Sequence, residues 1–240
     1  MPTKNTQDKQ VAVVTGASRG LGLALARALV ERGWHVVCDG RDPARLAAAA
    51  PSYGGPGSVT AVAGDVADPD HRRRLVAEAV AAGPVRLLVN NASILGPSPQ
   101  PHLTDYPLDV LARVYAVNVS APLSLVQHLA TDLGRHHGVI VNVTSDAAVA
   151  AYEGWGGYGS AKAALDQLSA VLAVELPEVS VYAFDPGDMA TDLHQQAFPG
   201  QDISDRPTPE SVVPALLRLL DSDLPSGRYR TADLGAEHAA

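Results

Sequence analysis

The stretch "VAVVTGASRGLG" (Val11–Gly22) combines two local patterns. It begins as a short run rich in β-branched residues, and its glycines, Gly16, Gly20 and Gly22, stand where an apolar helical pattern starts. Glycine allows a tight turn and a close approach of the backbone to a ligand. The N-terminus of the following helix offers free N–H groups and the positive end of a dipole. The stretch therefore predicts a strand, a turn and a helix that together bind a pyrophosphate group.

The alternation of apolar runs and helical patterns continues along the chain. The runs are continuously apolar, which is typical of strands buried on both faces of a parallel sheet. Stretches with apolar residues at helical spacing separate them, and two of these stretches end at Gly33 and Gly83. The sequence therefore predicts an α/β fold, a doubly wound parallel (Rossmann) sheet of about seven strands with helices on both faces. The six apolar runs that we assign as strands cover residues 11–17, 35–40, 58–65, 86–92, 138–145 and 179–187.

The length of 240 residues and the apolar content of 46% predict one large domain. We place a flexible N-terminal arm at 1–9 and a single catalytic domain at 10–240. The region around 188–208 follows the sixth strand and is rich in Pro, Asp and Gln. It is interpreted as a short helix and a mobile flap over the substrate, with a surface loop of no function as the alternative.

The formal net charge is −8, and the single basic run, Arg72–Arg74, is interpreted as the exposed face of a helix. Nucleic acid and acidic membranes are therefore not expected as partners. We find no signal peptide and no stretch near the roughly 18 apolar residues of a membrane span. We expect a soluble cytoplasmic protein in which the one cysteine, Cys38, is buried and unreactive. None of the eight histidines has the spacing of metal ligands, so no metal site is expected.

A tyrosine and a lysine share one helical face in "GWGGYGSAKAAL" (Gly154–Leu165). Residues four apart lie on the same face, so Tyr158 and Lys162 point the same way. Projection of the helix adds Leu172 to this stripe, which makes the face apolar. A lysine on an apolar face needs a partner or a ligand; a solvated surface pair is the alternative. A nearby ammonium lowers the pKa of a phenol, so Tyr158 is a candidate acid–base group.

Ser145 ends the fifth apolar run, thirteen residues before Tyr158. Sites in open parallel sheets form at the carboxyl ends of the strands. The Ser145 hydroxyl can therefore hold a substrate oxygen beside the tyrosine, and Thr144 takes this role if the strand register differs by one residue. A hydrolase nucleophile is not indicated, because the pattern G-x-S-x-G is absent.

Together these motifs resemble the short-chain dehydrogenase/reductase family. The resemblance covers about residues 10–222, and it rests on the order and separation of the motifs rather than on any one of them. Its glycine spacing is Gly-three-Gly-one-Gly in place of the commoner G-x-G-x-x-G. The residues that carry it are Thr15, Gly16, Gly20, Gly22, Asp65, "NNA" (90–92), Asn118, Ser145, Tyr158, Lys162, Pro186, Gly187 and Thr191.

The end of the second strand bears on the choice of nicotinamide cofactor. An acidic residue there selects NAD, whereas a basic residue accommodates the additional phosphate of NADP. The resemblance aligns Gly40 with the discriminating position, with Arg41 directly after it, and places Arg19 near the same phosphate. We therefore expect NADP(H). NAD(H) is the alternative if the strand ends one residue earlier and Asp39 faces the ribose.

The resemblance also implies a role for each site residue. Asn118, Ser145, Tyr158 and Lys162 form a catalytic tetrad, in which Asn118 binds a water that links the lysine to solvent. An incidental polar residue on a helix is the alternative for Asn118. Asn90 ties neighbouring strands together and contacts the cofactor ribose, and "NNAS" in place of the usual "NNAG" alters the cavity wall at Ser93. Asp65, after the third strand, is the implied adenine contact, with a helix cap or turn residue as the alternative. The implied cofactor-binding residues are Gly16, Ser18, Arg19, Gly20, Leu21, Gly22, Arg41, Asp65, Val66, Asn91, Ala92, Tyr158, Lys162, Pro186, Gly187 and Thr191, and the candidate substrate contacts are Ile94, Asp146, Tyr152, Trp155 and Met189.

The expected function is the NADP-dependent reduction of a ketone to a secondary alcohol by hydride transfer, with Tyr158 as the general acid. The alternatives are an NAD-linked alcohol dehydrogenase working oxidatively and a non-catalytic nucleotide-binding protein. The resemblance implies a small-molecule substrate and a homodimer or homotetramer packed through two long helices, predicted at 105–134 and 152–176. The C-terminus lacks the glycine-rich ending that is common in the family.

Overall fold

The computed structural model describes residues 10–49 and 52–235, so the arm predicted at 1–9 lies outside the described residues. Within this part of the chain the strands are β1 (Val11–Val14), β2 (His35–Gly40), β3 (Ser58–Ala63), β4 (Val85–Asn90), β5 (Val139–Val143), β6 (Ser180–Asp185) and β7 (Gly227–Arg230). They form one sheet in the order β3-β2-β1-β4-β5-β6-β7, and every neighbouring pair is parallel. The predicted doubly wound parallel sheet is confirmed.

Helices begin and end at the residues that local chemistry favours. Asp68 caps the third helix by accepting a hydrogen bond from Asp70 N at 2.9 Å. Gly33 and Gly83 follow the ends of two helices with φ of +88° and +143°, where a side chain would be strained. The helices are α1 (Gly20–Glu31), α2 (Pro43–Ala49), α3 (Pro69–Ala82), α4 (Leu108–Tyr115), α5 (Ala121–Arg135), α6 (Gly156–Glu175), α7 (Asp192–Ala197) and α8 (Pro209–Asp221).

The sheet is buried on both faces, which explains the continuously apolar strands. In β1, Ala12 and Val14 belong to a core layer that also contains residues of α1 and α8. Val11 and Val13 point to the opposite face, into a layer with residues of α3, α5 and α6. Alternation along one strand thus supplies two hydrophobic cores.

The structure corrects the bounds of several predicted elements. The helix predicted at 105–134 is α4 and α5 joined by a π-helical turn, Ala116–Ser120, and it starts later because a 3₁₀ turn, Leu103–Asp105, precedes it. The helix predicted at 152–176 begins at Gly156, since Gly154 has a φ of +81° that a right-handed helix does not allow. We did not locate β7, because its sequence "GRYR" contains no apolar run.

A chain of polar side chains fastens the middle of the sheet to α6. Asn90 Nδ2 donates to Asn142 Oδ1 at 2.8 Å, and Asn142 Nδ2 donates to Ser169 Oγ at 2.8 Å. All three residues are buried. The interpretation that Asn90 ties neighbouring strands together is confirmed, whereas Asn90 does not line the cleft described below.

One helical segment of the described residues, Leu108–Arg135, is by length and composition able to cross a membrane, because it contains an 18-residue window with a mean hydropathy of 1.2. The prediction that no stretch approaches a membrane span is therefore wrong by composition. Buried residues of this segment, among them Leu125 and Leu129, pack against the sheet.

We predict that Asn142→Ala lowers the free energy of unfolding by about 2 kcal/mol, because the buried Asn90 Nδ2 loses its acceptor. Thermal unfolding measures the loss, which corresponds to a decrease in Tm of about 4–8 °C. Val80→Ala, at a position that is 53% exposed on α3, is the control and changes stability by less than about 0.5 kcal/mol. Equal stability of the two variants would contradict the role of this chain of side chains.

Candidate active site

A cleft opens at the carboxyl edge of the sheet, where the strand order reverses between β1 and β4. The glycine turn and the end of β2 form one side, and the ends of β5 and β6 form the other. With the exception of Gly22, every predicted cofactor-binding residue lines it. These are Gly16, Ser18, Arg19, Gly20, Leu21, Arg41, Asp65, Val66, Asn91, Ala92, Tyr158, Lys162, Pro186, Gly187 and Thr191.

The glycine turn is fastened to the end of β4. Thr15 Oγ1 accepts hydrogen bonds from Asn91 N and Ala92 N, each at 3.0 Å, and Asn91 Nδ2 donates to Thr15 O at 2.9 Å. Gly22 is buried: a Cβ there would lie 2.4 Å from Asn91 Nδ2 and 2.6 Å from Gly16 O. Gly22 does not line the cleft, and its predicted contact with the cofactor stays a prediction. Its missing side chain allows α1 to pack closely against the turn.

The N-terminus of α1 is free to bind an anion. Arg19 precedes the helix in an extended conformation, and no side chain caps the helix here. Gly20 and Leu21, the first residues of α1, line the cleft. Uncapped N–H groups and the positive end of the helix dipole suit the pyrophosphate of a dinucleotide.

Asp39 is occupied by protein contacts. Its Oδ1 accepts from Gly16 N at 2.6 Å, and its Oδ2 lies 3.0 Å from Nε2 of His71. Both side chains are buried. Gly40 ends β2, and a Cβ on it would lie 3.0 Å from Ser18 Cβ, so a side chain there would crowd the turn. Asp39 lines the cleft, so a ribose, as the NAD alternative requires, would have to share a carboxylate that already serves both contacts.

Three arginines surround the mouth of the cleft beside Gly40. Arg19 forms an ion pair with Asp192 at the start of α7, and Nη1 of Arg45 lies 3.3 Å from the same carboxylate. Arg41 is exposed and lines the cleft. In a chain with a net charge of −8, this concentration of positive charge suits a phosphate group.

Asp65, the predicted adenine contact, lines the cleft after β3. Its Oδ1 accepts from Ala67 N at 2.9 Å, and its Oδ2 is paired with Arg113 of α4. Partial burial works to raise the pKa of this carboxyl, but the Ala67 hydrogen bond and the Arg113 guanidinium hold it below its usual value. Asp65 thus stays ionised and also forms the turn contact that was the alternative for it.

Glycines bring the start of α6 close to its neighbours. A Cβ on Gly157 would lie 2.3 Å from the Tyr106 ring, and a Cβ on Gly159 would lie 2.6 Å from Ala147 O. Real Cβ atoms do not approach other groups so closely, so only glycine allows this packing. The tyrosine between these two glycines is thereby held against the segment that follows β5.

Lys162 faces inward, and the alternative of a solvated surface pair is wrong. The residue is 2% exposed, and its Nζ donates to Val143 O at 2.7 Å. The same Nζ lies 5.5 Å from the centroid of the Tyr158 ring. Burial lowers the pKa of Lys162 to about 8, although the carboxylate of Asp166 opposes the shift.

Tyr158 does not have the lowered pKa that we expected. Its side chain is buried, and this burial raises the pKa above that of a free tyrosine, although hydrogen bonds with Ser93 and Ser145 oppose the change. The Lys162 amine, 5.5 Å from the ring centroid, is not among the groups that shift this pKa. Its Nζ is also directed to Val143 O. At neutral pH the phenol is therefore protonated and the amine is charged.

Ser145 follows β5 and lines the cleft. Its hydroxyl donates to Asp146 Oδ1 at 3.0 Å and accepts from Ala147 N at 3.2 Å. The Ser145 hydroxyl is also the one that is hydrogen-bonded to Tyr158, so the strand register places Ser145 there rather than Thr144.

Asn118 lies in the π-helical turn and is fully buried. Its Oδ1 accepts from Ile94 N at 3.0 Å and from Ser93 Oγ at 3.3 Å, and its Nδ2 donates to Ile94 O at 2.9 Å. The amide therefore fixes the loop that carries Ser93, and it is not an incidental polar residue.

Four of the five predicted substrate contacts line the cleft. The exception is Tyr152, which is 48% exposed and whose hydroxyl donates to Asp146 Oδ2 at 2.9 Å. The Trp155 ring lies edge-on to Tyr158 at 5.9 Å between centroids and 6.0 Å from Phe198. Phe198 follows α7, the short helix that we predicted within 188–208. The four contacts in the cleft are Ile94, Asp146, Trp155 and Met189.

Sequence reasoning missed two residues that act through others. His71, which holds Asp39, lies on a helical stripe with Leu75 and Ala79, and this spacing was an available signal of its burial. Arg228 of β7 reaches Ser145 O at 3.1 Å. Its position in "GRYR" gives no sign of this contact.

We predict that Lys162→Met removes a pH dependence from the stability. Because the pKa is lowered from 10.5 to about 8 in the folded protein, the unfolded chain binds more protons between these values, and the stability of the parent rises with pH there. Urea unfolding near pH 7 and near pH 9.5 measures the effect. We expect the parent to gain on the order of 2 kcal/mol relative to the variant. The parent and the variant share all other titrating groups. If their free energies of unfolding changed equally with pH, Lys162 would not be desolvated.

Comparison with known proteins agrees with this geometry. Residues 10–202 match the family model of short chain dehydrogenases. Dehydrogenase/reductase SDR family member 4 of Bos taurus is 37% identical over 185 residues, which cover 75% of this chain and 65% of that protein. A Pseudomonas syringae protein assigned to the short chain dehydrogenases superposes with a TM-score of 0.86 at 30% identity, over 93% of this chain and 95% of its own.

An alcohol dehydrogenase from Thermococcus sibiricus, complexed with 5-hydroxy-NADP, has a TM-score of 0.81 at 25% identity. The match covers 93% of this chain and 96% of that one. Members of the family are oxidoreductases that bind nicotinamide cofactors and act on small molecules. The family match extends over most of the chain and includes the glycine turn, Ser145, Tyr158 and Lys162. The chain belongs to the short-chain dehydrogenase/reductase family.

Proposed function

We propose that this protein is an NADP-dependent carbonyl reductase that reduces a ketone to a secondary alcohol. The observation that carries the proposal is the buried amine of Lys162 beside the ring of Tyr158, with the Ser145 hydroxyl bonded to the same phenol. This group of side chains lies in the cleft whose opposite wall is the uncapped end of α1. The sites for a nucleotide and for proton transfer are therefore adjacent.

When bound, the reduced nicotinamide supplies the hydride that adds to the carbonyl carbon. Tyr158 donates its hydroxyl proton to the carbonyl oxygen as negative charge develops there. The Ser145 hydroxyl turns from Asp146 to the same oxygen and stabilises that charge by a hydrogen bond. The products are the alcohol, the oxidised cofactor and a Tyr158 phenolate, which regains a proton from solvent.

The pKa shifts of Tyr158 and Lys162 suit this direction of reaction. A raised pKa keeps the Tyr158 phenol protonated at neutral pH, which is the form that a general acid requires. At pH 7 the Lys162 amine is mostly charged, because its pKa is about 8. Proton donation by Tyr158 thus creates an anion beside a buried cation, and their attraction lowers the barrier.

NADP is proposed over NAD because of the charges at the mouth of the cleft. Arg19, Arg41 and Arg45 offer guanidinium groups to the additional phosphate. Of the two acids near the end of β2, Asp39 is held by Gly16 N and His71, and Asp42 accepts from Ala44 N and Arg45 N at the start of α2. The Thermococcus sibiricus relative supports a nucleotide of this type.

The proposed substrate is a small ketone with an apolar substituent, because Ile94, Trp155 and Met189 line the cleft near Tyr158. We also propose a homodimer or homotetramer that uses α6. Val171 and Val174 on this helix are 40% and 81% exposed, and burial of such residues favours association.

Tyr158→Phe should bind NADPH normally and lose about 10²–10⁴-fold in ketone reduction, since only the donated proton is removed. NADPH fluorescence measures binding, and NADPH consumption with a panel of aliphatic and aromatic ketones measures turnover. Tyr229→Phe is the matched control, because the Tyr229 hydroxyl donates to Pro225 O and does not line the cleft. Reduction by Tyr158→Phe at the parental rate would refute the mechanism.

Arg41→Ala should weaken NADPH binding by about 10–100-fold, which corresponds to the loss of one charge-assisted contact with a phosphate. NADH binding should change less than twofold, because NADH lacks that phosphate. The matched control is Arg73→Ala, which removes an exposed guanidinium paired with Asp70 on α3. The NADP assignment is wrong if the parent prefers NADH, or if both nucleotides lose affinity equally.

A further inference from the structure

Arg228 of β7 joins three elements of the candidate active site. Its Nη2 donates to Asp185 Oδ2 at 2.8 Å and to Ser145 O at 3.1 Å. Its Nε donates to Asp166 Oδ2 at 3.1 Å. Asp185 ends β6, Ser145 follows β5, and Asp166 lies one turn after Lys162 on α6. One guanidinium group therefore connects two strand ends with the helix that carries the predicted proton donor.

These contacts are shielded from solvent. The side chains of Asp185 and Asp166 are 5% and 17% exposed, and that of Arg228 is 27% exposed. Asp185 Oδ1 also accepts from Gly187 N at 3.0 Å, which extends the network to the turn after β6. The planar fork of arginine can serve all three acceptors at once, whereas the ammonium of a lysine is a single point charge.

The other hydrogen bonds of Ser145 are local. Its carbonyl also accepts from Ala148 N at 3.0 Å, and its hydroxyl accepts from Ala147 N at 3.2 Å. These bonds belong to the 3₁₀ turn Asp146–Ala148, which moves together with Ser145. Among the described residues, Arg228 is the one side chain that hydrogen-bonds the Ser145 carbonyl, and it comes from a distant part of the chain. A residue 83 positions away thus contacts the main chain of the residue that carries the Ser145 hydroxyl.

We propose that Arg228 is a positioning residue, which fixes the Ser145 hydroxyl beside Tyr158 by holding the Ser145 main-chain carbonyl. None of the motif residues that carry the family resemblance lies in β7. The effect on catalysis rests on the proposed function, but the positioning itself is measurable without any activity.

Hydrogen–deuterium exchange of the segment 144–151 tests the positioning. We expect Arg228→Gln to accelerate the exchange of the Ala147 and Ala148 amides by about tenfold. Arg230→Gln is the matched control, because Arg230 lies on the same strand and its guanidinium pairs with Asp233 at the surface. Its exchange in this segment should equal that of the parent. Unchanged exchange in Arg228→Gln would overturn the proposal.

Kinetics test whether Arg228 acts through Ser145. Arg228→Gln should lower kcat for ketone reduction by about tenfold, with less than a twofold change in NADPH affinity. In a Ser145→Ala background the same substitution should have little further effect, because the hydroxyl that Arg228 positions is already absent. If the decrease in kcat of the double variant equals the product of the two single decreases, Arg228 does not act through Ser145 and the proposal is overturned.

Arg228→Lys provides a second variant if Arg228→Gln does not fold. It keeps a cation beside Asp185, so amide exchange in 144–151 should be accelerated and kcat lowered, both by less than in Arg228→Gln. If Arg228→Lys shows the same amide exchange and the same kcat as the parent, the proposal is overturned.

The carbonyl reductase proposal and the positioning proposal fail in different ways. A parent that reduces no ketone, combined with accelerated exchange in the variant, refutes the carbonyl reductase assignment and supports positioning. An active parent with unaltered exchange in the variant refutes positioning alone.

Discussion

Lys162 carries a positive charge that water hardly reaches, because its side chain is buried and its Nζ donates to the carbonyl of Val143. An unpaired ion in such a place would cost several kcal/mol. The Val143 carbonyl and the nearby Asp166 carboxylate reduce this cost, and the remainder is expressed as a pKa of about 8. The short contact with β5 also requires α6 to approach closely, which Gly159 permits, because a Cβ there would lie 2.6 Å from Ala147 O. The glycine-rich start of α6 thus allows the close packing that buries the Lys162 amine.

The same burial has opposite effects on the two groups of the pair. It lowers the pKa of Lys162 and raises the pKa of Tyr158, so both shifts favour the less charged form of each group. Neutral pH therefore holds a protonated phenol beside an ammonium that is close to losing its charge. Two carboxylates lie near this pair: Asp185 opposes phenolate formation, and Asp166 favours the charged form of Lys162. Arg228 contacts both and balances their charge.

Local patterns predicted much of the fold and of the site. Strands buried on both faces remain apolar wherever they pack, so six of the seven described strands were visible as apolar runs, whereas β7 was not. The shared face of Tyr158 and Lys162 follows from helical spacing alone. The partners of polar groups could not be predicted, because they depend on packing between distant segments. Asp39 shows this: its sequence position was compatible with a ribose contact, and the structure gives it to Gly16 N and a histidine of α3.

The pKa of Lys162 can be measured directly by a carbon-13 NMR titration of the lysine Cε resonances. The chain contains three lysines, and the resonance that disappears in Lys162→Met identifies the buried one. We expect its titration midpoint near a pKa of about 8, well below the ordinary lysine value of 10.5. A midpoint at the ordinary value would mean that the amine is solvated, and the proposed acid–base pair would then be wrong.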